Sequence, residues 1–132
     1  EVRGAEAIDM LQALNTGHDG SLSTGHANSP KDMLSRLESM VLMGMDLPLG
    51  AVQRQIASGI DIIVHLGRLR DKSRKVLEVS EILDYQDGEI LVSPLYRFEE
   101  TGEKDGKIQG TWRKMDDLVH TQKLLAAGYK EV

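Results

Sequence analysis

The sequence predicts an α/β domain, with parallel strands and helices in its first half and an antiparallel hairpin and C-terminal helix in its second. Three observations carry this. From Ala5 to Leu66, helical and strand-like runs follow one another as helix, strand, helix, helix, strand, with short links. Ile60 to Leu66 is a nearly continuous β-branched run, the composition of a strand covered on both faces. Beyond Arg70 the pattern changes to period-two alternation around Asp87-Gly88, a tight-turn signal.

The elements follow in order. Ala7, Met10, Leu11 and Leu14 set one apolar face on a helix from Ala5 to Thr16, and Gly17 suits its C-terminal end. Ser21 to Ala27 reads as a short strand. Ser29 and Pro30 open a second helix, with Asp32 completing a capping box. Its apolar stripe is Met33, Leu37, Met40 and Val41, and Gly44 ends it. A methionine-rich stripe suits a partner-binding face, but its helical spacing suits core packing better. Leu47-Pro48 opens a third helix, with Leu49, Val52 and Ile56 inward and Gly59 at its end. Arg74 to Tyr85 and Ile90 to Phe98 form the hairpin, and Pro94 places its second strand at an edge or a bend. Glu99 to Lys107 reads as an acidic loop, Ile108 to Trp112 as a short strand, and Met115 to Ala127 as the last helix. Residues 1–70 and 71–132 thus divide into a layered core and its extension.

Composition narrows the function. With 132 residues, 40% hydrophobic and 28% charged, the chain is sized for one domain with a real core. No apolar run is long enough to cross a bilayer, and no charged-then-apolar leader opens the chain. The first residue is Glu rather than Met, which suggests a piece of a longer protein. Cysteine is absent, which removes disulfides, thiolate metal sites and cysteine nucleophiles and fits a reducing compartment. A net charge of -5 argues against sequence-blind nucleic-acid binding.

The candidate chemistry lies in Glu1 to Asn28. A carboxylate at a strand end, such as Glu1, can hold magnesium through water or orient an attacking water. Arg3 can meet a phosphate or a carboxylate, or form a surface ion pair of little worth. Two Thr-Gly-His triplets, Thr16-Gly17-His18 and Thr24-Gly25-His26, bracket the Ser/Leu run. With parallel strands, His26 and Glu1 share the edge where α/β sheets bind ligands, and His26 can donate to a terminal phosphate with Thr24 and Asn28 in support. The competing reading makes His26 and Asn28 caps of the following helix. A zinc site from His18 and His26 has no familiar spacing and no third ligand in view. Arg68 and Arg70 lead a basic run that can reach a phosphate or a neighbouring subunit, or simply form a solvated turn. Arg36 and Arg54 are candidates for a subunit boundary. No Gly-x-x-x-x-Gly-Lys-Ser/Thr, Gly-x-Ser-x-Gly or His-Glu-x-x-His motif occurs.

The run EVRGAEAIDMLQALNTGHDGSLSTGHANSPKDMLSRLESMVLMG resembles the traffic ATPases of the type II/IV secretion superfamily, the hexameric motors of secretion and type IV pili. Glu1-Val2-Arg3-Gly4 is similar to the end of their Walker B segment, and Thr16 to Asn28 to their histidine box. QIASGIDIIVHLGRLRDKSRKVLEVSEI is most similar to the CpaF-type branch that powers tight-adherence (Flp) pilus assembly, and the lack of a four-cysteine zinc insertion agrees. The resemblance implies a C-terminal half of a RecA-like P-loop NTPase core, cytoplasmic and peripheral to the inner membrane. It would act on an inner-membrane platform protein, with no nucleic-acid partner. Glu1 and His26 would be catalytic, Glu1 holding magnesium through water and His26 sensing the γ-phosphate of ATP. Arg3, His18, Thr24, Asn28, Arg68 and Arg70 would help bind the nucleotide, and Arg36 and Arg54 would face the neighbouring subunit. The Walker A loop would lie upstream of Glu1, so this chain alone would bind no ATP or magnesium and would be inactive. A non-catalytic oligomerisation or docking module is the alternative.

Overall fold

Local signals in the first half of the chain produce the helices they promise. A computed structural model describes residues 1–17 and 20–130. The first elements are α1 (Ala7–Asn15), α2 (Pro30–Gly44) and α3 (Leu49–Gly59). In α2 the Ser29 hydroxyl accepts from the Asp32 backbone N–H at 3.1 Å, with Pro30 at the first helical position. That bond satisfies a donor the helix leaves orphaned. Gly17, just beyond α1, takes a left-handed φ of 87°.

The three helices pack on one another. Ala7, Leu11, Leu34, Leu37, Met40, Val41, Val52 and Ile56 are buried, which settles Met40 as core, while Met43 stays 69% exposed. Asn15 fastens α1 to α3. Its amide donates to the Leu11 and Gln55 carbonyls, each at 3.0 Å, and accepts from the Ser58 hydroxyl at 2.6 Å. These helices and Asp84–Leu91 form one compact unit, Glu1–Asp61 with Asp84–Leu91. Within it the Arg54 guanidinium lies 5.2 Å from the Tyr85 ring centroid, a cation–π contact.

The strands differ from expectation. Ser21 to Ala27 is not a strand: it joins no ladder, and Leu22 is 99% exposed. Its backbone meets residues 1–3 through the Val2 N–H, which donates to the Thr24 carbonyl at 2.8 Å. A polar Ser/Thr-rich stretch with nothing to bury gains little from pairing.

The second compact unit holds Ile62–Leu83 and the residues from Val92 onward. The sheet has four strands, β1 (Ile62–Arg68), β2 (Arg74–Gln86), β3 (Glu89–Lys104) and β4 (Lys107–Lys114), in the order β1-β2-β3-β4. The expected parallel strands are not found among the described residues. β1 pairs antiparallel with β2, Ile62 opposite Glu81 through Arg68 opposite Arg74. The link explains this. It spans residues 69–73, closed by Leu69 N–H to Ser73 carbonyl (2.8 Å) and Lys72 N–H to Leu69 carbonyl (2.9 Å), whereas a parallel crossover needs a dozen or more residues. Nor is β1 covered on both faces. It is an edge strand, with Ile62 40%, Val64 52% and Leu66 65% exposed.

The predicted hairpin is present, and Asp87 (φ 52°) and Gly88 (φ 82°) turn it. β3 is an inner strand, yet β4 pairs with it only from Tyr96 onward, so Pro94 sits where β3 has β2 as its sole partner. The acidic stretch expected as a loop is instead the end of β3. A second Asp-Gly turn, Asp105 (φ 53°) and Gly106 (φ 74°), returns the chain as β4. The only tryptophan, Trp112, donates its indole N–H to the Val76 carbonyl at 2.6 Å and meets Phe98 edge-on at 5.6 Å.

The C-terminal helix expected over Met115 to Ala127 shrinks to α4 (Gln122–Ala126). The reason is Glu81 on β2, which is 1% exposed. Its two carboxylate oxygens accept from the backbone N–H groups of Val119 (2.8 Å) and His120 (2.9 Å). Donors committed to a buried carboxylate are lost to a helical ladder.

Asp71, in the β1–β2 link, binds that link to β4. Its carboxylate accepts from the Ser73 hydroxyl (2.5 Å), the Ser73 N–H (2.9 Å) and the Ile108 N–H (2.8 Å). These donors lower its pKa from 3.8 to about 2, the Ser73 hydroxyl most of all. A depressed carboxylate stabilises the fold above its unfolded pKa and loses that contribution as pH falls through the folded value. Thermal melts of the wild type and Asp71→Asn should therefore differ most above pH 3.8 and converge as the pH approaches about 2; a gap that persists at the lower pH would refute this. At the hairpin turn, Gly88→Ala should cost about 1 kcal/mol, because a Cβ at positive φ is strained. Denaturant titration measures it, and an unchanged midpoint would count against the turn assignment.

Candidate functional site

The site is built from the chain start and the segment before α2. Val2 is 6% exposed and anchors its neighbourhood in the helical core. Its backbone bond to Thr24 brings Glu1 beside His26. Gly25 makes the approach feasible: a Cβ there would lie 2.9 Å from the Met33 sulfur and terminal methyl. The glycine of the second Thr-Gly-His triplet thus leaves room for an α2 side chain.

One carboxylate gathers the chemistry. Glu1 Oε1 lies 2.7 Å from His26 Nε2, and Glu1 Oε2 lies 2.6 Å from Arg3 Nη2. An ionised carboxylate only accepts, so Nε2 is the protonated ring nitrogen. The Arg3 hydrogen bond holds the Glu1 carboxyl below its usual range. The His26 side chain is 82% exposed and the Arg3 side chain 77%, so both partners of the carboxylate face solvent. Exposed pairs of this kind contribute little to stability. What the arrangement provides is an ionised carboxylate held between a guanidinium and an imidazole.

Beside it lies an open groove of about 510 Å³, lined by His26, Ala27, Asn28, Asp32, Ser35 and Arg36. Arg36, nearly two helical turns into α2, donates from Nη1 to the His26 carbonyl and fixes the loop from which the imidazole projects. Thr24 contributes its carbonyl to Val2, and Asn28 sits at the groove wall. Glu6 carries a role the sequence left unnoticed. Its carboxylate accepts from the Arg3 N–H (2.8 Å) and the Gly4 N–H (3.1 Å), bracing the turn between the site and α1. Its position just before the first helix was the available signal. Asp32 and Ser35 enter as lining residues through their spacing on α2.

His18 lies outside the described residues. Arg54 engages Tyr85. Arg68 and Arg70 belong to the sheet unit. Arg68 donates to the Lys72 carbonyl at 3.3 Å. Arg70 forms a bidentate pair with Glu100, Nη1 to Oε2 at 2.7 Å and Nη2 to Oε1. Among the described residues no group of three or more His, Asp or Glu side chains is arranged to hold a metal. A lone carboxylate such as Glu1 is compatible with magnesium, an ion that keeps most of its hydration and takes other ligands from phosphates.

The chain matches known proteins over most of its length. The family described as "Type II/IV secretion system protein" matches residues 1–119. A putative conjugal transfer protein of Mycobacterium tuberculosis is 38% identical over 90 residues, covering 68% of this chain and 25% of that protein. The type IV secretion system protein PtlH of Bordetella pertussis is 37% identical over 93 residues, 67% of this chain and 26% of that protein. The type IV secretion system protein VirB11 of Brucella suis is 36% identical over 69 residues, 50% of this chain and 19% of that protein. The chain spans about a quarter of the length of the first two of these relatives. No helix among the described residues is long and apolar enough to cross a membrane. With nine-tenths of its length matched by one family and the Glu1–Arg3–His26 cluster inside the matched region, the chain belongs to the type II/IV secretion system proteins.

Proposed function

We propose that this chain is the C-terminal part of an ATP-hydrolysing motor that powers secretion or pilus assembly, most like the CpaF-type motors of tight-adherence pili. The observation that carries this is the contact of Glu1 Oε1 with His26 Nε2 at 2.7 Å, across 25 positions of sequence. A carboxylate and an imidazole so joined suit a site where terminal-phosphate occupancy and water activation are read together. Glu1 holds magnesium through water and polarises the attacking water; Arg3 orders that carboxylate. His26 senses the γ-phosphate, supported by His18, Thr24 and Asn28, and Arg68 and Arg70 contact nucleotide. In the complete motor, a hexamer with Arg36 and Arg54 at subunit boundaries, the movement acts on an inner-membrane platform protein from the cytoplasmic side.

A second reading, a non-catalytic association module, is favoured by one observation: the open β1 edge with Ile62, Val64 and Leu66 exposed. Sedimentation at rising concentration tests it, and a strictly monomeric chain would dismiss it.

For the motor reading, the 132-residue chain alone should show no tight binding of a labelled ATP analogue, because a P-loop motif is absent from it. Micromolar affinity would contradict the proposed division of the site. In the longer protein that contains these residues, His26→Ala should slow ATP turnover by about a hundredfold while leaving nucleotide affinity nearly unchanged, since the lost donor acts on developing charge. Equal losses of affinity and turnover would make His26 structural.

A further inference from the structure

We infer that Glu81 is a latch holding the C-terminal arm, Met115 to Lys130, as a strap that can leave the sheet without unfolding it. Glu81 lies on β2 between Ser80 (0% exposed) and Ile82 (2% exposed), and is itself 1% exposed. No cation pairs with it among the described residues. Its carboxylate is spent instead on two consecutive backbone donors, Val119 and His120, 38 and 39 positions away. This is an unusual use of a buried carboxylate, since such groups are ordinarily neutralised by a cation or a metal. The function of the bond must therefore be sought in what it holds.

Most of what it holds is exposed, with Leu118, Thr121 and Leu124 half-buried. Met115 continues the ladder by one bond, N–H to the Leu95 carbonyl at 2.7 Å. Lys114 and Asp117 pair at 2.6 Å within the local chain. Beyond the latch, α4 has five residues and buries no side chain. Val119, Leu125 and Tyr129 are 57%, 52% and 62% exposed. Apart from the Met115 bond, the strands pair with one another, and Trp112, Phe98, Asp71 and Ile108 are tied without the arm. The stability of the unit is thus graded, with a ladder at one level and a strap, fixed by a charge-assisted clamp, at another. Release at Glu81 removes the clamp on the Val119 and His120 amides.

Amide hydrogen exchange on the full 132-residue chain tests this, comparing wild type, Glu81→Gln and Glu81→Met. Gln keeps one accepting oxygen and Met keeps none, at similar size. The expected result is a graded acceleration confined to the Val119 and His120 amides and the arm after them, about tenfold or more in Glu81→Met and smaller in Glu81→Gln, with β1 to β4 unchanged. Two results overturn the proposal. If the Val119 and His120 amides exchange at wild-type rates in Glu81→Met, the carboxylate does not hold the arm. If sheet amides accelerate as much as those of the arm, or either variant fails to fold, Glu81 supports the sheet and the arm is no separable strap.

Discussion

A single backbone hydrogen bond, from the Val2 N–H to the Thr24 carbonyl, determines the geometry of the candidate site. Glu1 precedes the donor by one residue and His26 follows the acceptor by two. Because successive side chains alternate along extended backbone, burying Val2 turns Glu1 and Arg3 the other way. The carboxylate, the guanidinium and the imidazole then meet within hydrogen-bonding distance. Met33, seated over Gly25, and Arg36, bound to the His26 carbonyl, keep the second segment against α2. The helical core thereby supports a polar cluster that contributes little to its own stability.

In the sheet unit, carboxylates do structural work of a different kind. Asp71 gathers a hydroxyl and two backbone donors from the β1–β2 link and from β4. Glu78 accepts from Ser80 and from Arg97, joining β2 to β3. Asp71 thus satisfies backbone donors of the link and of β4, while Glu78 pairs a hydroxyl and a guanidinium. No buried side-chain nitrogen or oxygen lacks a partner among the described residues.

Features encoded over three or four residues were legible in the sequence. Ser29, Pro30 and Asp32 specify the start of α2, and Asp87-Gly88 specifies a hairpin turn. Asp105-Gly106 carries the same signal but was hidden by its acidic surroundings; β3 runs on through Lys104, where charge alone suggests a loop. Strand direction was misread at β1 because β-branched composition reports burial preference, whereas direction is fixed by the length of the following link. The C-terminal helix failed for a reason no local window contains, a carboxylate on another strand. At the site, residue types suggested the Glu1 and His26 partnership, but the contact itself depends on tertiary structure. Asn15 was missed altogether, since an asparagine at a helix end ordinarily reads as a terminator rather than a fastener between helices.

The placement of Trp112 has a practical consequence. It is the chain's one indole, and it is held by a hydrogen bond from β4 to β2 and by an edge contact with Phe98 on β3. Its fluorescence is therefore an optical report on the sheet unit, while the helical unit, which holds no tryptophan, is dark at the same wavelengths. Paired with far-ultraviolet dichroism, where the helices dominate, the two signals distinguish melting of the sheet from melting of the helices without any label.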